Sequence, residues 1–115
     1  MVKHEMGLYR EGFDLIQSGK KVVEIRLNDE KRQAIKQGVL ISFYLLPERK
    51  SSTTVRVMAT KVFKTFGELY KQTDFALLGR EDKTMEWMLE ASYAYYKKED
   101  ELRFGVVAID FEVVK

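Results

Sequence analysis

Lys21, Glu24 and Arg26 fall within one six-residue span of the stretch GKKVVEIRLND, and Lys20 stands immediately before them. A carboxylate among cations suits the reading of a base. The carboxylate accepts from an exocyclic amine such as that of cytosine, while a guanidinium or ammonium receives a carbonyl oxygen or a phosphate. The same residues also suit two plainer roles: a Glu24–Arg26 salt bridge that closes the end of a barrel, or a solvated face. Val23, Ile25 and Leu27 alternate with Val22, Glu24 and Arg26, which is the period of a half-buried strand over residues 21–27. Two residues apart on a strand, Glu24 and Arg26 project from one face about 7 Å from each other.

Other residues offer chemistry less sharply. The basic helix with Lys31, Arg32 and Lys36, together with Arg49, Lys50 and Arg56, could grip a nucleic-acid backbone; a solvated face explains them equally well. Six basic residues stand against Glu68 between Arg49 and Lys71, whereas eight acids face four bases between Asp74 and Glu101. Such asymmetry gives one positive and one negative face. Trp87 and Tyr95 lie off the apolar stripe of a long helix. They are placed to stack on a base, or to pack against a neighbouring helix or a second subunit, which leaves a homodimer open. His4 reads as a structural histidine near the site strand. With no cysteine and a single histidine, disulfides, thiolate–zinc centres, multi-histidine metal sites and histidine-based triads are all ruled out. No metal and no cofactor is expected.

Several elements must position these residues. After an extended KHEMGL, residues 9–18 read as a helix with Tyr9, Phe13 and Ile16 on one face, stopped by Gly19. The site strand over 21–27 leads to Asn28 or Asp29, either of which can cap the short basic helix EKRQAIKQ that ends at Gly38. Residues 39–46 form a buried strand, PERKSST breaks the chain, and residues 54–64 return as a strand in which Val55, Val57 and Ala59 alternate with Arg56, Met58 and Thr60. A short helix covers 66–70. Asp82 is a candidate cap for the helix over 85–96, whose stripe is Met85, Met88, Leu89, Ser92, Tyr93 and Tyr96. The closing strand alternates Val107, Ile109, Phe111 and Val113 with Asp110 and Glu112.

At 115 residues, 45% hydrophobic and 33% charged with a net charge of +2, the chain fits one folded domain spanning residues 1–115. No apolar run reaches the length of a membrane span and no signal peptide precedes the first charges, so a cytoplasmic protein without membrane contact is expected. Hairpin-connected strands mixed with three to four helices indicate an α+β fold, its mainly antiparallel sheet curled or closed into a small β-barrel.

The sequence resembles the ASCH domains, small proteins of the PUA-like superfamily, over nearly its whole length. The resemblance rests on HEMGL, on G-x-K-x-x-E-x-R as Gly19, Lys21, Glu24 and Arg26, on IKQGVLISF, and on the C-terminal YYKKEDELRFGVVAIDF. It implies a barrel-like sheet with a cleft beside the G-x-K-x-x-E-x-R strand, and binding of RNA or a modified nucleoside. Some relatives hydrolyse acetylcytidine, removing the acetyl group from the exocyclic amine. In them a lysine at the position of Lys21, a threonine three residues later and a glutamate beyond mid-chain form the catalytic group. This chain keeps Lys21, matches the glutamate with Glu81, and has Glu24 in place of the threonine. A carboxylate there favours the ammonium form of a lysine, whereas an activating lysine must be neutral; Glu24 could itself activate a water. The resulting expectation is a binder in which Glu24 accepts from the base, Lys20, Lys21 and Arg26 supply cationic contacts, and Glu81 closes the site. An amidohydrolase using Lys21, Glu24 and Glu81 is the alternative, and a ligand-free interaction module is a third.

Overall fold

The computed structural model describes residues 3–114. In chain order they form β1 (Lys3–Leu8), α1 (Arg10–Gln17), β2 (Val23–Leu27), α2 (Glu30–Gln33), β3 (Leu40–Leu45) and β4 (Ser52–Phe63). Then come α3 (Phe66–Lys71), a 3-10 turn (Phe75–Leu77), α4 (Met85–Tyr95), α5 (Lys98–Phe104) and β5 (Val106–Val113). The strands make one curled five-stranded sheet in the order β1-β3-β4-β5-β2. β1 runs parallel to β3, and the other three pairings are antiparallel. The α+β class and the curled sheet are as the sequence predicts, but the described residues form five α-helices rather than three or four. None is long and apolar enough to cross a membrane.

The sheet has a core on each face. Inside the curl lie Met6, Ile16, Ile35, Ile41, Phe43, Val55, Val57, Val107, Ile109 and Phe111. On the other face Val23, Phe63, Phe66, Leu69, Tyr70, Leu78, Met88, Val106 and Ala108 pack under α3 and α4. β5 therefore buries both faces along its first half, with Val107 and Ile109 in one core and Val106 and Ala108 in the other.

A bulge in β4 corrects one expectation. Val57 pairs with Phe111 and Ala59 with Asp110, so Met58 is an extra residue. An extra residue inverts the alternation beyond it. Val55 and Val57 consequently face the inner core, whereas Phe63, also odd-numbered, faces the outer one, and Ala59 is exposed.

Local signals set most element ends. Asp29 caps α2, its side chain accepting from the Arg32 amide, and Thr65 caps α3 through the Glu68 amide. α4 is capped by Thr84, which accepts from the Trp87 amide at 3.1 Å, not by Asp82. Gly19 ends α1 with φ +81, and two residues later Lys21 bridges to Leu78, which starts the site strand.

Gly105 joins α5 to β5 at φ +73, and a Cβ there would stand 2.8 Å from the Phe63 carbonyl oxygen. Gly19, at φ +81, has nothing within 4 Å of such a Cβ. Gly105→Ala is therefore expected to destabilise the fold by about 3 kcal/mol, strain and clash together, and Gly19→Ala by about 1 kcal/mol from strain alone. Chemical denaturation of the two variants checks this; equal losses would mean that the Phe63 contact costs nothing.

Candidate functional site

β2 places Glu24 opposite Ile109 and Arg26 opposite Val107 on β5. Glu24 is only 3% exposed. One of its oxygens stands 2.5 Å from Lys21 Nζ. The other accepts from Arg26 Nε at 2.8 Å and lies 2.7 Å from Nη2. Burial alone would raise the Glu24 pKa; the Lys21 and Arg26 charges outweigh it and bring the carboxyl down from 4.5 to about 2. Glu24 is an ionised, buried carboxylate with a cation on each oxygen.

Arg26 also reaches across the sheet. Its Nη2 donates to the Gly7 carbonyl at 3.1 Å, and Gly7 lies on β1, the opposite edge strand. β1 and β2 share no ladder among the described residues, so this guanidinium links the two edges. The Glu24–Arg26 pair thus takes the barrel-closing position, and both residues also line a cleft.

A cleft of about 360 Å³ opens over the pair. It is lined by Gly7, Tyr9, Glu11 and Gly12 from β1, α1 and their junction, by Lys21, Glu24 and Arg26 at β2, and by Trp87, Ala91, Tyr95 and Tyr96 at α4. A smaller recess of about 140 Å³ runs inward between Glu24, Phe66, Tyr70, Met88 and Ser92. There Ser92 Oγ donates to the Met88 carbonyl at 2.9 Å and takes the Tyr70 hydroxyl at 2.6 Å. Burial raises the pKa of both Tyr70 and Tyr96, leaving them neutral hydroxyls at working pH. At the rim the Arg80 guanidinium pairs with Glu11 and lies 5.5 Å from the Trp87 ring centre.

The structure gathers Lys21, Glu24 and Arg26 with Trp87 and Tyr95 around the cleft and places Lys20 and Glu81 elsewhere. Lys20 and Glu81 line a different surface pocket, together with Asp82. Arg80, one residue before Glu81, enters the cleft instead. Among the basic residues, Lys31 and Lys50 are exposed, while Arg32 pairs with Asp29, Arg49 with Glu5 and Arg56 with Glu112. α2 precedes the Leu40 end of β3, whereas Arg49 and Lys50 follow its Leu45 end. Arg56 pairs with Leu40, at the end of β3 away from Arg49 and Lys50. His4, on β1, is not among the cleft residues. Trp87 and Tyr95 do line the cleft, 38% and 72% exposed. Sequence reasoning missed Glu11, Arg80, Tyr70, Ser92 and Tyr96 as lining. Ser92 was the one signal available, a hydroxyl set into an apolar helical stripe.

A family model described as the ASCH domain matches residues 6–115. The crystal structure of the hypothetical protein PH0355 is similar at 35% identity and TM-score 0.87, over 98% of this chain and 100% of that one. The solution structure of PF0455 from Pyrococcus furiosus gives 36% identity and TM-score 0.78, covering 99% of each chain. An ASCH domain from Lactobacillus crispatus shares the fold at 21% identity and TM-score 0.67, over 96% of this chain and 79% of that one. No curated protein matches the chain.

Removing one member of a buried ion pair strands the other, so Arg26→Ala is expected to cost about 3 kcal/mol of stability. Because folding lowers the Glu24 pKa, the ionised carboxylate contributes stability that is fully present above pH 4.5 and lost as pH falls through about 2. That shift corresponds to about 3 kcal/mol. Denaturation curves of the wild type and Glu24→Gln should therefore converge as pH drops through this window. A gap that stays constant would show that the pair does not stabilise the ionised carboxylate.

Proposed function

The chain belongs to the ASCH domain family, and from that premise we propose that its cleft binds a cytosine-type nucleoside or base through Glu24 and does not turn it over efficiently. The observation that carries this reading is the buried Glu24 carboxylate, ionised and facing a cleft walled by aromatic side chains. The oxygen that faces Lys21 has that one partner and keeps a lone pair, which a base bearing an exocyclic amine satisfies. Lys21 and Arg26 are then next to the carbonyl edge of the same base. Tyr95 and Tyr96 supply ring faces on which a base stacks. The volume of about 360 Å³ lies at the small-ligand end of the usual pocket range.

The contact between Lys21 and Glu24 argues against hydrolysis by the route of the acetylcytidine-cleaving relatives. With Nζ held by the Glu24 carboxylate at 2.5 Å, Lys21 is turned to that oxygen rather than to a nucleophile. Glu81, the candidate third member, stands outside the cleft. The dispersed and paired surface arginines likewise favour a small ligand over a strand laid along Lys31, Arg32, Arg49, Lys50 and Arg56.

Titration with cytidine, acetylcytidine and uridine tests the reading. Cytidine and acetylcytidine both present an N–H to Glu24, whereas uridine turns a carbonyl oxygen to it; uridine is expected to bind about 10-fold more weakly or worse. The affinity should change little with salt. A strand gripped at three to five phosphates would show a log–log slope of roughly −2 to −3.5. Equal binding of uridine and cytidine would overturn the role of Glu24. Release of cytidine from acetylcytidine that disappears in Lys21→Ala would overturn the binding-only reading and make Glu24 the activating group.

A further inference from the structure

We propose that Arg80 is the receptor for a phosphomonoester on the ligand, and that Glu11 occupies Arg80 in the empty cleft and so sets how strongly phosphorylated ligands are preferred. The inference rests on the nucleoside-binding reading above and extends it from the base to the substituent. Arg80 lines both the cleft and its inner recess. Its guanidinium lies 5.5 Å from the Trp87 ring centre, a stacking that orients the fork. Its carboxylate partner differs from Glu24 in the decisive respect: the Glu11 side chain is 70% exposed and that of Arg80 only 23%. An ion pair with one solvated member is weak and readily exchanged. A phosphate offers the same fork two oxygens and a higher charge, which makes it the stronger partner.

The charge count points the same way. The charged residues lining the cleft are Lys21, Arg26 and Arg80 against Glu24 and Glu11. When Glu11 swings into solvent, three cations remain against a single carboxylate. The uncompensated double positive charge matches a phosphate monoester, which carries close to two negative charges at pH 7. A diester carries one and leaves the cleft charged. The geometry therefore selects a nucleoside monophosphate, or a strand end bearing a terminal phosphate, over an internal position of a strand.

The test measures the dissociation constants of cytidine, cytidine 5′-monophosphate, cytidine 3′-monophosphate and a cytidine dinucleotide joined by a diester alone. Each is titrated into the wild type, Glu11→Gln and Arg80→Gln. The quantity read is the affinity of the better monophosphate relative to cytidine within each protein, so that cytidine reports on the integrity of the cleft. This ratio should exceed one in the wild type and rise about threefold to fivefold in Glu11→Gln, where the competitor is gone. It should fall about 10-fold or more in Arg80→Gln. If Arg80→Gln no longer binds cytidine, the Glu11→Gln ratio alone decides. Cytidine binding with the same ratio in all three proteins would overturn the role of Arg80 and leave the base-binding reading standing. Failure of every compound to bind would overturn both. A dinucleotide that binds as well as the monophosphates would overturn the choice of a monoester.

Discussion

Glu24 is buried with a cation on each oxygen, and the organisation of the rest of the molecule follows from how that burial is made tolerable. An ionised carboxylate removed from water costs several kcal/mol unless charges and hydrogen bonds compensate it. Lys21 and Arg26 do so, and the low pKa of Glu24 records that they prevail over burial. Arg26 can take part only because β2 presents it two residues along on the same strand. Through Nη2, which also lies against Glu24, the guanidinium donates to the Gly7 carbonyl. A side chain thus joins two edge strands that a backbone ladder would otherwise have to join. A closed ladder would have left no opening beside β2. Joined by a single guanidinium, the edges stay together and the carboxylate stays reachable.

A second buried carboxylate shows what the same residue type does in a purely structural role. Glu101, in α5, is 6% exposed and accepts from the Phe66 amide at 2.7 Å and from the Tyr93 hydroxyl at 2.8 and 2.9 Å. It has no cationic partner among the described residues, and it lines none of the clefts described above. Burial and the carboxylate together push the Tyr93 hydroxyl up to about 12, so the phenol remains a donor. The contact ties α5 to the first residue of α3 and to α4, fixing the aromatic wall that faces Glu24. One carboxylate holds the scaffold through neutral donors. The other holds charge in front of a cavity.

The β2 strand and both of its charged residues were legible in the sequence, because a period of two over so few residues specifies the strand and puts Glu24 and Arg26 together. The inner core was legible for the same reason along β5. What escaped was whatever depends on an irregularity or on a distant partner. The extra residue at Met58 inverts the alternation of β4, and nothing in STTVRVMATKVF marks it. Asp82 was the cap the sequence suggested, and Thr84, two residues on, takes the place. α5, in KKEDELRF, is a short charged helix without a stripe. Arg80 sits in a loop where no periodicity assigns a direction, and the family resemblance pointed to its neighbour Glu81 instead. Tyr96 and Ser92 looked like core because they fall on the buried stripe of α4; they also border a cavity, which spacing along one helix cannot reveal.

The distribution of charge explains why the net value of +2 says little about a partner. On the surface Arg49 and Arg56 are each about half exposed and meet carboxylates that are about as exposed. Water screens these pairs at both ends, and their fields decay within a Debye length. The cleft cations are shielded from water and share too few carboxylates. A charge without its counterion acts more strongly on a ligand in a low-dielectric recess than several paired charges do on the outside. On the proposed reading, Lys21, Arg26 and Arg80 are therefore the cations that a ligand in the cleft meets, while Arg49 and Arg56 face solvent paired to carboxylates.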